Sequence, residues 1–327
     1  MTSKNDWLQA LRFNPIPRLV GSGNPAIICF AERDLLDHKQ GPFEKLWKVR
    51  QVERLVRSQQ SNGSWRYAGG SSRLRSSENY DLLRTYTVLR ELVEKYGFTK
   101  EHQAMERAAE FILSFQTDCG DIRGIYGNQY TPNYTAGIIE LLVKAGFGRD
   151  PRIEEAFRWL LSIRQEDGGW AIPFRTVGAK FDGRLMWSKT VEPDLSKPSS
   201  WLATGVVLRP FAASPRHRGM IGIKPAVDFL KSMLFKKDNY PDRSAPVYWT
   251  SFTFPFWFTD LLSAADSLSQ LGPSRDDPQI AKALEWFSDN QKKDGTWELR
   301  QLRSGGDKDV QPWSGLAICR VFKRLYG

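Results

Sequence analysis

One phrase recurs three times in this chain: a Gln, a short polar step, then Gly-x-Trp. It reads Gln60-Ser61-Asn62-Gly63-Ser64-Trp65, then Gln165-Glu166-Asp167-Gly168-Gly169-Trp170, then Gln291-Lys292-Lys293-Asp294-Gly295-Thr296-Trp297. Self-similarity of this kind marks a repeated supersecondary unit and constrains the whole fold before any single segment is read. The second and third copies align without a gap from Asp150-Pro151 to Trp170 and from Asp277-Pro278 to Trp297. Ile153/Ile280, Ala156/Ala283 and Trp159/Trp286 fall in register at spacings of three, so the unit is a helical hairpin and not a strand pair. A weaker copy closes on Phe111, Phe115, Gln116 and Gly120, and another, without its Gln, on Phe229, Leu230 and Phe235.

Apolar periodicity places helices over 24–36, 42–59, 79–96, 100–115, 133–145, 150–163, 200–212, 224–235, 252–271, 277–290 and 312–325. Asp150-Pro151 and Asp277-Pro278 each set a capping side chain before a Pro at the first helical position. With a short amphipathic segment near 7–13, about twelve helices result, enough for six hairpins. Short connections (97–99, 146–149, 272–276) alternate with long ones (60–78, 116–132, 165–199, 236–251, 291–311). All the long ones therefore lie at one end, and loops of that length in a compact body usually carry function. Stretches such as Tyr134–Ile139, Ser200–Val207 and Trp313–Ala317 are uncharged and belong inside; the helices before the long loops carry charge on one face and belong outside. The expected architecture is all-α, an (α/α)6 toroid in two concentric layers. Residues 1–327 form one domain in this reading, with 1–23 an N-terminal arm and 24–327 the repeat array.

The 41% hydrophobic and 13% aromatic content supplies a large core, and six of the 12 Trp fall in the repeat phrase or its preceding helix. No apolar run reaches the ~20 residues of a membrane span, the first residues lack a signal-peptide pattern, and Cys29, Cys119 and Cys319 are scattered. A soluble, cytoplasmic protein is the expectation. The net charge of +10 is uneven: 197–243 holds nine Lys or Arg against three Asp. That stretch is a solvated face or a patch for an anionic partner, with a peripheral membrane contact among the partners it allows. Nucleic acid is not expected, since no binding motif accompanies the charge.

The hairpin array with its Gln-x-x-x-Gly-x-Trp phrase resembles the α/α-toroid proteins, and the phrase looks like the QW repeat of squalene–hopene and oxidosqualene cyclases and of prenyltransferase β-subunits. The resemblance implies a structural role for Gln60 and Trp65, Gln165 and Trp170, and Gln291 and Trp297, each pair tying an outer helix to the neighbouring loop. Departures limit what it implies about chemistry. The Asp-x-Asp-Asp stretch with which such cyclases protonate an alkene is missing. Glu192-Pro193-Asp194, ahead of the 200–212 helix, is the nearest analogue. Zinc ligands of the prenyltransferase kind are missing too: Cys119 and Asp121 lack a third partner. No metal and no cofactor are expected.

The other conspicuous run is Tyr248–Phe258, with seven aromatics in eleven residues. Aromatic faces grip apolar chains and stabilise cations. Tyr134, Trp201, Tyr248, Trp249, Phe252, Phe256, Trp257 and Trp313 are therefore the candidate binding residues. If the protein is an enzyme, Glu192, Asp194 and Asp260 are the candidate acids. Helix N-termini favour anions, and Arg73, Arg75, Lys180, Arg184, Lys189, Lys197, Arg243, Arg303 and Lys308 add cations to the same rim. An apolar or amphiphilic small molecule of isoprenoid type fits such a mouth. A catalytically inactive toroid that binds or scaffolds, and a carbohydrate-active toroid sharing the Gly-Gly-Trp phrase of some pectate lyases, are the alternatives. Metal analysis of protein purified without chelator should find less than one metal ion per chain; a tightly held zinc would bring Cys119 and Asp121 back as ligands.

Overall fold

The computed structural model describes residues 6–38, 43–69, 76–302 and 307–327. An N-terminal arm carries α1 (Asp6–Gln9) and α2 (Ile16–Val20). Then come α3 (Pro25–Asp34), α4 (Glu44–Trp47), α5 (Arg50–Arg57), α6 (Ser77–Tyr96), α7 (Gln103–Leu113), α8 (Pro132–Leu142) and α9 (Pro151–Ser162). The chain continues through α10 (Pro173–Thr176), α11 (Gly183–Trp187), α12 (Trp201–Ala213) and α13 (Lys224–Ser232). It ends with α14 (Leu261–Leu268), α15 (Pro278–Asp289) and α16 (Val310–Tyr326). No strand forms among the described residues; pairing outside helices is confined to isolated bridges such as Gln59 with Trp65 and Gln291 with Trp297.

Six of these helices make a ring. Each of α3, α6, α8, α12 and α14 contacts the next, α14 contacts α16, and α16 returns to α3. Burial follows the two-layer logic: Trp201 through Ala212 is buried without interruption in α12, whereas α9 buries Ile153, Ala156, Phe157, Trp159 and Leu160 and exposes Glu155 and Arg158. Outer helices α7, α9, α13 and α15 pack on α6, α8, α12 and α14, and the arm's α1 packs on α16 in the same way.

The repeat phrase has one geometry. Trp65, Trp170 and Trp297 are buried, and each Nε1–H donates to a carbonyl ten residues back: Leu55 (2.8 Å), Leu160 (2.6 Å) and Phe287 (2.7 Å). The backbone N–H groups of Trp65, Ile122 and Trp170 donate to the hydroxyls of Thr85, Thr135 and Thr204 on the following inner helix. The phrase glycines Gly63, Gly120, Gly168 and Gly295 all have positive φ, and a Cβ on any of them would collide with the next outer element. Those neighbours are Arg107 O (2.2 Å), Glu155 O (2.5 Å), Pro225 Cβ (2.4 Å) and Asn14 O (2.4 Å). Only glycine meets both demands.

The amide that spans to the next outer element is Gln59, Gln116 and Gln291. Their Nε2 groups donate to the turn's own glycine carbonyl and to Ala104 O, Arg152 O and Phe13 O, the last three all at 2.8 Å. Gln60 lies one residue on and reaches Ser64 Oγ and Asp81. Gln165 stands at that same later position and holds Asp194 O and Lys197 O (2.8 and 2.9 Å). In the second copy Arg164 occupies the spanning position and donates to Gly222 O.

Three elements differ from the sequence expectation. The helix expected over 42–59 breaks into α4 and α5 because Val49 is extended (ψ 128°). The connection 165–199 holds α10 and α11. The inner helix expected from 252 begins at Leu261, since Pro255 has no N–H to give and disfavours helix in the residue before it. The stretch before Leu261 instead forms a loop closed by a capping box between Asp260 and Ser263. Trp170→Ala or Trp297→Ala should cost roughly 3–5 kcal/mol of unfolding free energy in denaturant titrations. Gly295→Ala should cost at least ~1–2 kcal/mol from its left-handed backbone alone.

Candidate functional site

A cavity of about 1090 Å³ opens among the long connections. Its wall is built from the middle of α6, the first turns of α8 and α12, and the long connections. From α6 come Leu83, Arg84, Tyr86, Thr87 and Arg90; from α8, Asn133 and Tyr134; from α12, Leu202. Loops contribute Tyr67, Tyr126, Phe174, Phe181, Arg175, Arg243 and Tyr248, and the Thr253–Phe258 loop supplies its inner wall. Tyr86 and Arg90 stand four apart on one face of α6, and Gly137 on α8 leaves the space that the Tyr86 hydroxyl occupies; a Cβ there would come within 2.2 Å of it.

Ten aromatic rings and four guanidinium groups line this space against a single carboxylate, Asp242, among the described residues. Asp242 is already engaged in a bidentate pair with Arg175 at 2.5 and 2.7 Å. Arg90 is buried, donates to Pro255 O, and lies 4.5 Å over the Trp257 ring. Burial pushes its pKa down to about 10, which leaves it charged at neutral pH. Tyr134 meets Tyr86 edge-on, and Tyr86 packs at 5.3 Å on Trp257, so α6, α8 and the loop share one aromatic cluster. Beneath it Glu140 pairs with Arg209 (2.9 Å) and Lys144 (2.7 Å), and Lys144 reaches Glu94 (2.6 Å), binding α6, α8 and α12 to one another.

Of the eight aromatics singled out from sequence, Tyr134, Tyr248 and Trp257 line the cavity. Trp201 and Trp249 stack on each other at 4.2 Å inside the wall, Phe252 packs on Trp286 and Phe287, and Trp313 lies behind Phe254. Phe256 faces a second cavity at the opposite end. Of the rim cations, Arg243 lines the cavity; Arg73, Arg75 and Arg303 lie outside the described residues. Sequence reasoning passed over Tyr67, Tyr86, Arg90, Tyr126, Phe174 and Phe181. The i,i+4 pair Tyr86/Arg90 was the one available signal.

The three candidate acids stand apart from the wall. Glu192 accepts a hydrogen bond from Tyr130 (2.8 Å). Asp194 is half-buried, and its bond from the Ser196 hydroxyl holds its pKa below the usual range. Asp260 is buried behind Thr253, where one oxygen accepts from Thr253 N (3.2 Å) and the other from Ser263 N (2.8 Å). Burial pushes its pKa up to about 7 in spite of those bonds.

Sequence comparison finds likeness to one family over part of the chain. The model of the squalene-hopene cyclase C-terminal domain matches residues 82–182, the segment that supplies Tyr86, Arg90, Tyr126, Tyr134, Phe174 and Phe181. A squalene–hopene cyclase from Bradyrhizobium diazoefficiens is 27% identical over 164 residues, covering 46% of this chain and 21% of that relative. The match thus spans about a fifth of the relative's length. Among solved structures, a polysaccharide lyase matches over 99% of this chain and 98% of its own, with a TM-score of 0.50 and 12% identity, a likeness of fold. A type II terpene cyclase from Scytonema matches over 86% and 97%, with a TM-score of 0.35 and 13% identity. No described helix is long and apolar enough to cross a membrane.

The Asp260 carboxyl holds its proton more tightly in the fold than in the unfolded chain. Its contribution to stability is therefore complete below about pH 4 and is lost as pH rises through about 7. Each tenfold weakening of ionisation corresponds to about 1.4 kcal/mol. Asp260→Asn, which cannot ionise, should flatten the fall in melting temperature between those limits relative to the parent; identical pH profiles would contradict the buried, proton-holding carboxyl.

Proposed function

We propose that this protein binds an amphiphile in the central cavity, its apolar isoprenoid-type chain lying along the aromatic wall and its anionic head held by the arginines. The observation that carries this reading is the pairing of ten rings with four guanidinium groups and one carboxylate already claimed by Arg175. Rings grip an apolar chain through area and quadrupole, and a guanidinium offers a carboxylate or phosphate two parallel donors. Partial sequence likeness to squalene–hopene cyclases supports the apolar half of the ligand.

The same wall argues against a carbocation cascade. The face of Trp257 is already occupied by Arg90, and the excess of guanidinium groups over carboxylates in the wall raises the energy of a cation formed beside them. Protonating an alkene also needs a neutral, strong acid at the wall. Among the described lining residues the only carboxyl is Asp242, and both its oxygens accept hydrogen bonds from Arg175. The reading is therefore a binding site for an anionic amphiphile, with any conversion acting on its polar head.

An acidic oligosaccharide is the second reading. Asn133 favours it: its amide oxygen is buried without a hydrogen-bond partner at the cavity wall, an acceptor suited to a sugar hydroxyl. Titrations that follow tryptophan fluorescence separate the two. Geranylgeranyl diphosphate should quench saturably, squalene more weakly, and an oligogalacturonate not at all. Arg84→Ala should weaken the diphosphate about tenfold or more, the scale of one charge-assisted hydrogen bond. Saturation by the oligogalacturonate alone would turn the assignment to carbohydrate.

A further inference from the structure

The central axis holds a second cavity of about 690 Å³ at the end where the short turns lie. Its wall combines apolar side chains such as Phe30, Phe43, Val93 and Phe98 with charged ones such as Glu94 and Arg320. Phe254 lines both cavities. Its neighbours divide between them: Pro255 and Trp257 face the large cavity, and Phe256 faces the second. The loop ahead of α14 is thus a partition across the ring, one side chain thick at Phe254.

That partition is fixed at several points. Phe252 N donates to Arg300 O (2.8 Å), and Leu302 N donates back to Phe252 O (2.9 Å). Thr253 N is held by Asp260, Trp257 N donates to Thr253 Oγ1 (3.0 Å), and Arg90 grips Pro255 O. Phe254 itself lies parallel to Trp313 at 5.5 Å and edge-on to Phe256 at 5.6 Å. Backbone anchors of this kind leave the loop in place when the ring is trimmed. Directly behind the ring lie Phe256 and the Trp313–Phe30–Phe43 cluster, while the outer part of the second cavity is lined by charged side chains such as Arg33, Glu94 and Arg320.

We propose that Phe254 is the residue that sets the depth of the site, and with it the longest apolar chain the cavity accepts. The proposal rests on the amphiphile reading above. A chain whose head is held at the arginines runs inward along Tyr86, Tyr134 and Trp257 until it meets the Phe254 ring. Chain atoms beyond that point have nowhere to be buried, so added length stops contributing to affinity. Removing the ring opens the large cavity onto the aromatic part of the second, where further methylenes are buried against Phe256, Phe30 and Phe43.

The test is a ladder of n-alkyl phosphates from ten to twenty carbons, titrated calorimetrically into the full-length parent, Phe254→Ala, Phe254→Leu and the wall control Phe181→Ala. In the parent, affinity should climb with length and then level off or fall. In Phe254→Ala the break should move to longer chains, raising the affinity ratio of the longest to the shortest ligand by about tenfold or more, since each newly buried methylene adds to binding. Phe254→Leu should move it less, and Phe181→Ala should lower affinity without moving it. Phe254→Leu carries the test if Phe254→Ala fails to fold, as judged by its melting curve. Binding by the parent with the break unmoved in the Phe254 variants overturns the role of Phe254 and leaves the amphiphile reading standing. No binding of any alkyl phosphate by the parent overturns the amphiphile reading itself, and the depth proposal with it.

Discussion

The fold depends on how closely the turn after each outer helix can approach the next outer element. At Gly63, Gly120 and Gly295 backbone meets backbone, at Gly168 it meets the Pro225 ring, and that contact is available only to glycine in the left-handed region. At that separation one side-chain amide can serve two carbonyls, its own turn's and its neighbour's. Neither contact exists inside a single hairpin. Each hairpin is completed by the next, which is why the chain builds an array and the array curves until it meets its own beginning. The last amide, Gln291, finds Phe13 where earlier copies find an outer helix, and donates to and accepts from its backbone.

Much of this was readable before any coordinates, because repetition multiplies a weak local signal. The helical register of 150–170 against 277–297 and the alternation of short and long connections both follow from residue spacing. The identity of the spanning amide did not. Adjacent glutamines at 59 and 60 both fit the phrase, and in the second copy an arginine replaces it. A Gln–Gly–Trp pattern cannot distinguish positions five and six before the Trp; the gapless alignment of Arg164 with Gln291 could have done so.

The site was less legible, for a different physical reason. A run of seven aromatics in eleven residues says that rings cluster, but which way each ring faces depends on the path of the backbone. Pro255 and the Asp260 cap turn that path from helix to loop, sending Trp249 and Phe252 into the wall, Trp257 into the cavity and Phe256 to the far side. Rings from α6, α8 and the 163–200 connection complete the cavity, and they are far apart in sequence. Charges behave similarly: the basic stretch 197–243 sends one arginine to the wall, while Arg90, hidden mid-helix among apolar neighbours, sits at its centre.

The arm's contact with the last repeat also bears on how the chain reaches its folded state. Ala10, Arg12 and Phe13 bond to Ser288, Asp289 and Gln291, partners almost the whole chain away. Contacts so remote in sequence cost loop-closure entropy that nothing local repays, and they slow folding relative to the hairpins they join. During synthesis the arm emerges before all the hairpins that separate it from its partners. The inner face of the arm and the open flank of α3 must therefore remain uncovered while the intervening hairpins form. The seam between α16 and α3 is then the last part of the ring that can close.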